Sequence, residues 1–461
     1  FLPTPAPTAS LPDVPAKEPG AKKTPDMLPE KNVDKKTPEE KKKPRVPIEL
    51  QASDITATVA SVGSKQLHDL RARGDVLVFQ AGDKPGEKRV DITGQLLTVK
   101  KVSEKGDHLV IHGDKKARAR LQLGELVLSG DIVSINQDTN RTDIDGPGVM
   151  EMPTNKNLDG TDATKKNTRI NVHWNKSMTF DGQHAVFSGG VQAQEVGAPS
   201  WLLCREMVTT LDQRMSFKET ENAGKNAKVQ RIVCDKDVFI DDSKVDDKRN
   251  LVQRAVVQGR ELINYEDGRT HVVGPGQVKL LARGGSESGL GPAPKVDNAT
   301  PPKSEWKLTT VRFRGHMHAN TKSDTKTAKF FGEYGGVEVF HFPTNDIKAT
   351  MDPDHPPKDG IYLRCEMLEV EERKAMGKTN HTMIGRQNVF FKTDQYQGNA
   401  DIVKYDEAND IVIFEALNDK VVQLYRITGN TVEQAAVRSS KVLYNRKTGK
   451  IETEGVKSIT N

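Results

Sequence analysis

Hydrophobic and polar side chains alternate along much of the chain after residue 50, and this alternation is its strongest local signal. The segment "TRINVHW" (Thr168–Trp174) shows it most clearly. An extended backbone places Ile170, Val172 and Trp174 on one side of this segment and its polar residues on the other. The pattern predicts a β-strand with one covered face and one face in water.

The same period of two recurs in later segments. In "LTTVRFRG" (Leu308–Gly315) it puts Val311 and Phe313 on one side and arginines on the other. "DIVIFEA" (Asp410–Ala416) carries apolar residues on both sides, with Ile411 on one of them. Helical periodicity is nearly absent, and Gly, Asn and Asp residues separate the short segments. We therefore expect an all-β chain.

One spacing occurs three times along the sequence. An Asn is followed ten residues later by a Gly at Asn136–Gly146, Asn264–Gly274 and Asn445–Gly455. The repeated unit reads as a strand ending in Tyr-Asp or Tyr-Asn, a short turn and a return strand. Repeats of this kind stack along one axis. The spacing predicts an elongated stack of antiparallel hairpins.

Composition divides this stack into modules joined by polar segments. The first fifty residues are rich in Pro and Lys and have almost no apolar periodicity, which predicts a disordered tether. Two further stretches rich in Gly, Pro, Asn and Thr have the composition of linkers. The predicted boundaries are a tether over 1–50, module 1 over 51–152, a linker over 153–167, module 2 over 168–283, a linker over 284–303 and module 3 over 304–461.

Overall composition narrows the classes of function. Only 35% of the residues are hydrophobic and 5% aromatic, which suits thin modules better than one thick core. The formal net charge is +5, and no basic stripe with interleaved aromatic residues occurs, so we expect no nucleic-acid partner. Lysines crowd into the tether, where they are either solvated or attracted to an anionic membrane surface. The chain begins at Phe1, and we expect it to be anchored or processed upstream of that residue.

Three stretches together resemble a known family. They are "HAVFSGGVQAQEV" (His184–Val196), "QGNADIVKYDEANDIVIFEALNDKVVQLYR" (Gln397–Arg426) and "SSKVLYNRKTGKIETEGVKSI" (Ser439–Ile459). Their order is similar to that of the OstA-like (LptA-like) family of the lipopolysaccharide-transport system. The resemblance is best in module 3, good in module 2 and weak in module 1. The insertion Phe342–Gly360 and the presence of three modules depart from the single short module usual in that family.

The resemblance implies a fold, a ligand and partners. The implied modules are β-jellyrolls or "β-tacos", long sheets folded into an open V whose inner side holds lipid acyl chains. Modules of the family join by pairing edge strands, with one another or with copies. The residues that match groove positions are Ile170, Val172, Val311, Phe313 and Ile411. The alternative is that these five side chains pack the core of a closed sandwich.

We therefore expect a non-enzymatic protein of the periplasm, cell envelope or surface that binds or passes lipopolysaccharide or another amphipathic lipid. The alternative is a structural or adhesive scaffold of rigid β modules without lipid cargo. In either case no cofactor is expected.

Two groups of residues could indicate metal binding or thiol chemistry. His316 and His318 are two residues apart, so on a strand they point the same way, as a pair of metal ligands would. His341, Asp354 and His355 follow in sequence and are candidate third ligands, but an exposed polar face explains the pair better, and no metal site is assigned. The three cysteines, Cys204, Cys234 and Cys365, have no zinc spacing and are expected to be small buried thiols.

Overall fold

The structure is a computed structural model, and it describes most of the chain after residue 47. The described residues are 48–60, 66–81, 88–103, 106–123, 126–154, 168–215, 228–246, 248–283, 306–322, 325–333, 336–375, 378–406, 409, 411–428, 431–432, 437–445 and 448–459. The predicted tether and most of both predicted linkers lie outside these residues.

The described part of the chain is all-β, as the alternation predicted, and contains no helix. All of its strand pairs are antiparallel. The strands are β1 Glu49–Gln51, β2 Asp54–Ala60, β3 Gln66–Ala81, β4 Lys88–Ser103, β5 Gly106–His112, β6 Ala119–Leu123, β7 Leu126–Asn136, β8 Arg141–Thr154, β9 Thr168–Trp174, β10 Ser177–Phe180, β11 His184–Glu195, β12 Trp201–Leu211, β13 Val229–Val245, β14 Leu251–Tyr265 and β15 Arg269–Val273. They continue with β16 Gly276–Arg283, β17 Trp306–Phe313, β18 His316–Asn320, β19 Thr325–Phe331, β20 Val337–Pro343, β21 Ile361–Cys365, β22 Met367–Ala375, β23 Lys378–Thr393, β24 Tyr396–Asp406, β25 Ile411–Glu415, β26 Val422–Thr428, β27 Thr431–Val432, β28 Val437–Asn445 and β29 Ile451–Ile459.

Long strands connect two halves of this sheet. β14 pairs with β15 through residues 261–264 and with β16 through residues 253–258. β4, β7, β8, β11, β23, β24 and β28 likewise have a different partner on each side of a bend, whereas β12 and β13 pair with the same neighbours along their whole length. We call the side with β5, β10, β15, β18, β19, β22 and β25 the first half-sheet, and the side with β6, β9, β16, β17, β20, β21 and β26 the second half-sheet.

A change in the alternation marks the corner between the half-sheets. Inward-facing residues normally lie two apart along a strand. In β12 the interval from Cys204 to Met207 is three, and in β11 the interval from Phe187 to Val191 is four, although all four side chains are buried. The strand register shifts at the same points. These bulges redirect the strand while keeping the same face inward.

Two consecutive residues with positive φ turn four of the long strands at this corner. Glycine, asparagine and aspartate adopt this conformation most readily, whereas Lys236 and Gln387 are exceptions that the bulges hold in place. The pairs are Gly74–Asp75 in β3, Gly189–Gly190 in β11, Lys236–Asp237 in β13 and Gln387–Asn388 in β23.

The main core lies just inside the corner, where aromatic side chains from the two half-sheets meet. Ring centroids lie 5.1 to 5.6 Å apart in these pairs, a normal separation for tilted or edge-to-face packing. The two inner faces are therefore in contact along the length of the corner. The pairs are Trp174 with Phe187, Phe313 with Phe330, and Phe391 with Phe414.

A second buried cluster lies on the opposite, outer face of the second half-sheet. Ile347 and Met351, from the insertion Phe342–Gly360, cover this face, and the Lys279 Nζ donates a hydrogen bond to the Ile347 carbonyl (3.1 Å). The insertion is thus a cap on the sheet. The buried residues of the cluster are Val256, Leu281, Leu308, Phe340, Phe342, Ile347, Met351 and Tyr362.

The recurring Asn-to-Gly spacing corresponds to a hairpin followed by a corner. Asn136 ends β7, and its Oδ1 accepts hydrogen bonds from the backbone N–H groups of Asp138 and Thr139. Asn445 plays the same part at the end of β28. Ten residues later Gly146 has positive φ at the bend. The predicted hairpin repeat is confirmed, and the closing phrase of the sequence forms the β28–β29 hairpin.

Sheet hydrogen bonding continues past both predicted linkers. β8 pairs with β9 on either side of residues 155–167, and β16 pairs with β17 on either side of residues 284–305. One compact unit extends over Val46–Asn461. The three module boundaries stay predictions.

Candidate functional site

The inner face between β13 and β23 is covered near the corner and progressively less so away from it. The inward residues beside the corner on the first half-sheet are fully or almost fully buried. They fill the base of a groove between the half-sheets. These base residues are Cys234, Leu262, Val272, Met317, Phe330 and Leu368.

One step further from the corner, a cross-strand ladder on the first half-sheet is only half-buried. Several of its side chains are small, among them Ala319 and Ala328. At about 4.8 Å per strand, seven strands make it about 29 Å long. This inner ladder comprises Ile232, Asn264, Thr270, Ala319, Ala328, Val370 and Met383, each paired with the next.

The second half-sheet presents a matching apolar ladder. Val311 and Val339 are buried, whereas Val257, Val278 and Leu363 are half-buried. Apolar members of both ladders pack against the same core. The walls of the groove are therefore apolar over several neighbouring strands. This valine ladder comprises Val257, Val278, Val311, Val339 and Leu363, each paired with the next.

Side chains close the groove on either side of this middle section. Towards the C-terminus, the Tyr396 ring of the second half-sheet lies 5.3 Å from the Tyr444 ring of the first. Towards the N-terminus, Phe180, Ala185 and Leu211 are buried at positions far from the corner. Half-buried apolar residues also occur in the N-terminal section, among them Val99, Leu109, Met152 and Ile170, but the two continuous ladders described above lie between β13 and β23.

Polar pairs line the rim of the middle section. Lys326 and Glu372 lie one step beyond the inner ladder, and the Nζ of the lysine is 3.1 Å from the glutamate Oε1. Only 5% of the Glu372 side chain is exposed. Across the groove, a hydrogen bond of 2.8 Å links Thr309 Oγ1 with His341 Nδ1. A ligand in the groove would meet apolar walls below and charged or polar groups above.

The structure places four of the five predicted groove residues on the inner face. Ile170 and Val172 lie there in the N-terminal section, Val311 belongs to the valine ladder, and Phe313 lies at the corner with 2% of its surface exposed. Whether any of them contacts lipid stays a prediction.

The prediction that Ile411 faces the groove is wrong, because Ile411 lies on the outer face of the sheet. Its neighbours Val412 and Phe414 are each 1% exposed and belong to the core, so the intervening alternation turns Ile411 and Ile413 to the outer face. The strand has apolar residues on both sides, and the sequence pattern therefore contained no signal that distinguished them.

The third histidine beside His316 and His318 is His271, which is not among the candidates predicted from the sequence. His316 and His318 lie beside His271 of β15 on the outer face, with His271 directly opposite His318. His341 is on the groove rim, and His355 contacts Asp352 in the cap. Sequence reasoning missed His271 because the pairing of β15 with β18 spans a predicted linker. Within the described residues, no group of three or more His, Cys, Asp or Glu side chains is placed so that it could hold a metal ion.

The cysteines are buried thiols, as expected. Burial raises the pKa of Cys365 to about 12. A side-chain hydrogen bond with Cys204, together with burial, raises the pKa of Cys234 well above its usual value. Thiolates are the reactive form of cysteine, so Cys234 and Cys365 are not activated as nucleophiles.

Comparison with known proteins adds no family. No protein-family model matches the chain, and no curated protein matches it. Among the described residues, no helix is long and apolar enough to span a bilayer.

Proposed function

We propose that this chain is a non-enzymatic protein of the cell envelope that holds the acyl chains of an amphipathic lipid, of the lipopolysaccharide kind, between β13 and β23. The observation that carries the proposal is the pair of ladders on the two half-sheets, in which all of the inner-ladder residues and three of the five valine-ladder residues are half-buried. Monomeric proteins bury such surface unless it binds something.

The energetics suit binding and passage of lipid. Each methylene transferred from water to the groove contributes about 0.8 kcal/mol, with little dependence on its position along the walls. Contacts of this kind give affinity without a fixed register, so an acyl chain can slide. The Lys326–Glu372 pair lies where a polar headgroup would be.

The resemblance to the OstA-like family supports the same proposal, because its motifs fall on the strands that form the folded sheet. His184–Val196 contains β11, and Ser439–Ile459 contains most of the β28–β29 hairpin. We infer a periplasmic bridge that joins other β-module proteins, or copies of itself, through edge strands. Contact between the Lys-rich tether and a membrane surface belongs to the same proposal and falls on residues outside the described part.

A rigid structural or adhesive scaffold is the second candidate. The ring contact between Tyr396 and Tyr444 favours it, since this contact closes the C-terminal section as a solid sandwich. If the middle section were equally closed in solution, the stack would serve as a spacer without cargo.

Filling the groove separates the two functions. In an Ala328→Trp variant the indole occupies the inner ladder, whereas Thr327→Trp adds the same bulk to the outer face of the same strand. Native mass spectrometry of gently purified protein should show bound lipid in the parent chain and in the Thr327→Trp variant. We expect Ala328→Trp to lose most of it and to bind a fluorescent fatty acid about tenfold more weakly, because the indole takes the place of an acyl chain, and about 1.4 kcal/mol of lost binding free energy is tenfold in affinity.

The scaffold would replace the lipid-binding proposal under either of two results. One is a parent chain that carries no lipid and does not bind the fatty acid. The other is a folded Ala328→Trp variant, verified by circular dichroism, that binds lipid as well as the parent chain does.

A further inference from the structure

Three histidines form a cluster on the outer face of the first half-sheet, on the opposite side from the groove. His271 lies on β15, and His316 and His318 lie on β18. Register pairs His271 with His318 and Val273 with His316, so all three rings emerge on one face of two adjacent strands. No part of the proposed lipid function uses them.

The rings lie close enough together to share one ligand. Ring centroids are 4.4 Å apart for His271 and His318, 4.8 Å for His316 and His318, and 5.7 Å for His271 and His316. Three imidazole nitrogens at about 2 Å from one zinc ion place their ring centres about 5 Å apart. The observed triangle has this size.

The surroundings of the cluster resemble those of metal ligands in general. The His316 Nδ1 is 3.4 Å from the Glu333 Oε1, and a carboxylate on the second ring nitrogen typically orients a histidine ligand. The Phe331 ring stacks on His316 at 4.5 Å and limits the movement of that ring. The His271 Nε2 is buried and makes no hydrogen bond, so one polar atom of the cluster lacks the partner that buried polar atoms normally have.

We propose that His271, His316 and His318 together bind a divalent transition metal ion of the zinc class. The rings of His271 and His318 are now nearly parallel, at 28°, and stacked. Metal binding requires their side chains to rotate so that one nitrogen of each ring points to a common position. A water molecule completes the four ligands that zinc prefers.

The position of the cluster gives the ion a structural task. His271 precedes the segment at residues 284–305 and His318 follows it, so the ion joins two strands that are distant in sequence. Among the described strands, the β15–β18 and β16–β17 pairs are the two that join β1–β16 to β17–β29. Bound metal would therefore resist separation of the sheet at this seam.

Metal titration of the full chain, without a histidine tag, tests the proposal. Isothermal titration calorimetry with Zn²⁺ alone should give one site per chain, and Mg²⁺ should give none. His318→Gln removes the ligand that contacts both other rings and should weaken zinc binding at least about tenfold. His173→Gln, on the outer face of β9, is the control and should bind zinc as the parent chain does.

A thermal melt provides the second readout. Zinc should raise the midpoint of the parent chain and of His173→Gln by several degrees, but not that of His318→Gln or His271→Gln. The proposal is overturned if the parent chain shows no saturable zinc binding. It is equally overturned if folded His318→Gln and His271→Gln variants bind zinc with the affinity of the parent chain.

Discussion

Thr309 and Phe313 lie four residues apart on one strand, yet they belong to different environments. Phe313 packs at the corner against Phe330, with 2% of its surface exposed. Val311 is one step away in the valine ladder, and Thr309, one step further, is half-buried at the rim. Burial along a single strand thus falls from core to groove within five residues. A residue's distance from the corner determines whether it supports the fold or is available to a ligand.

Phe313 should therefore behave as a core residue. Truncation in a Phe313→Ala variant leaves a cavity beside Phe330, and we expect the free energy of unfolding to fall by about 3–5 kcal/mol. Urea denaturation followed by circular dichroism measures the loss. Thr327→Ala, on the outer face, is the control and should change stability by less than about 0.5 kcal/mol. A loss of that smaller size at Phe313 would mean that the corner is not packed as described.

At the scale of the strand, the corner depends on residues that tolerate positive φ. Gly189 and Gly190 have φ near 87°, and a side chain on Gly189 would meet the Lys176 Cβ at 2.3 Å. Gly197 has a similar φ of 83° but open space around it. An added side chain would strain the backbone at both positions, but it would clash with a neighbouring residue only at Gly189.

Alanine substitutions separate these two effects. Gly197→Ala should lower the free energy of unfolding by about 1–2 kcal/mol, the cost of holding alanine in the left-handed conformation. Gly189→Ala also introduces a steric clash at the bend, so it should lower the free energy of unfolding by about 1–3 kcal/mol more than Gly197→Ala does. Chemical denaturation of both variants gives the difference. Equal losses at the two positions would show that β11 and the turn between β9 and β10 do not approach each other closely at the corner.

Some of these elements could be predicted from the sequence, and the reasons are physical. The strand of Val172 was predictable because one of its faces is apolar and the other polar. The face of Ile411 was not, because Val412 and Ile413 are apolar too. The bends could not be predicted either, since an interval of three or four residues between inward-facing positions looks in the sequence like the end of the alternation. His271 could not be joined to His318 because register between distant strands leaves no local trace.

At the scale of the whole molecule, the described sheet ends in open strands. β29 pairs with β28 on one side and has no second partner among the described residues. Asn445 donates its backbone N–H to the Lys450 carbonyl, and by alternation the N–H of Thr453 points away from β28. An open edge of this kind can receive another strand.

Edge pairing can be tested without disturbing the hairpin. If copies join through β29, sedimentation should show oligomers that grow with concentration. Thr453→Pro removes an outward N–H and should shift this distribution to monomer. Thr453→Ala, which keeps the outward N–H, is the control and should assemble as the parent chain does. Oligomers that persist in a folded Thr453→Pro variant would place the contact elsewhere.

The order of pairing along the sheet also has a consequence for how the chain folds. No strand of the described sheet pairs with another more than three places away in chain order. Most contacts therefore close short loops, and each new hairpin needs only the strands immediately before it. Folding can start at one place and spread along the axis, as in solenoid proteins. The number of hairpins, and with it the length of the molecule, can then change in evolution without a new folding problem.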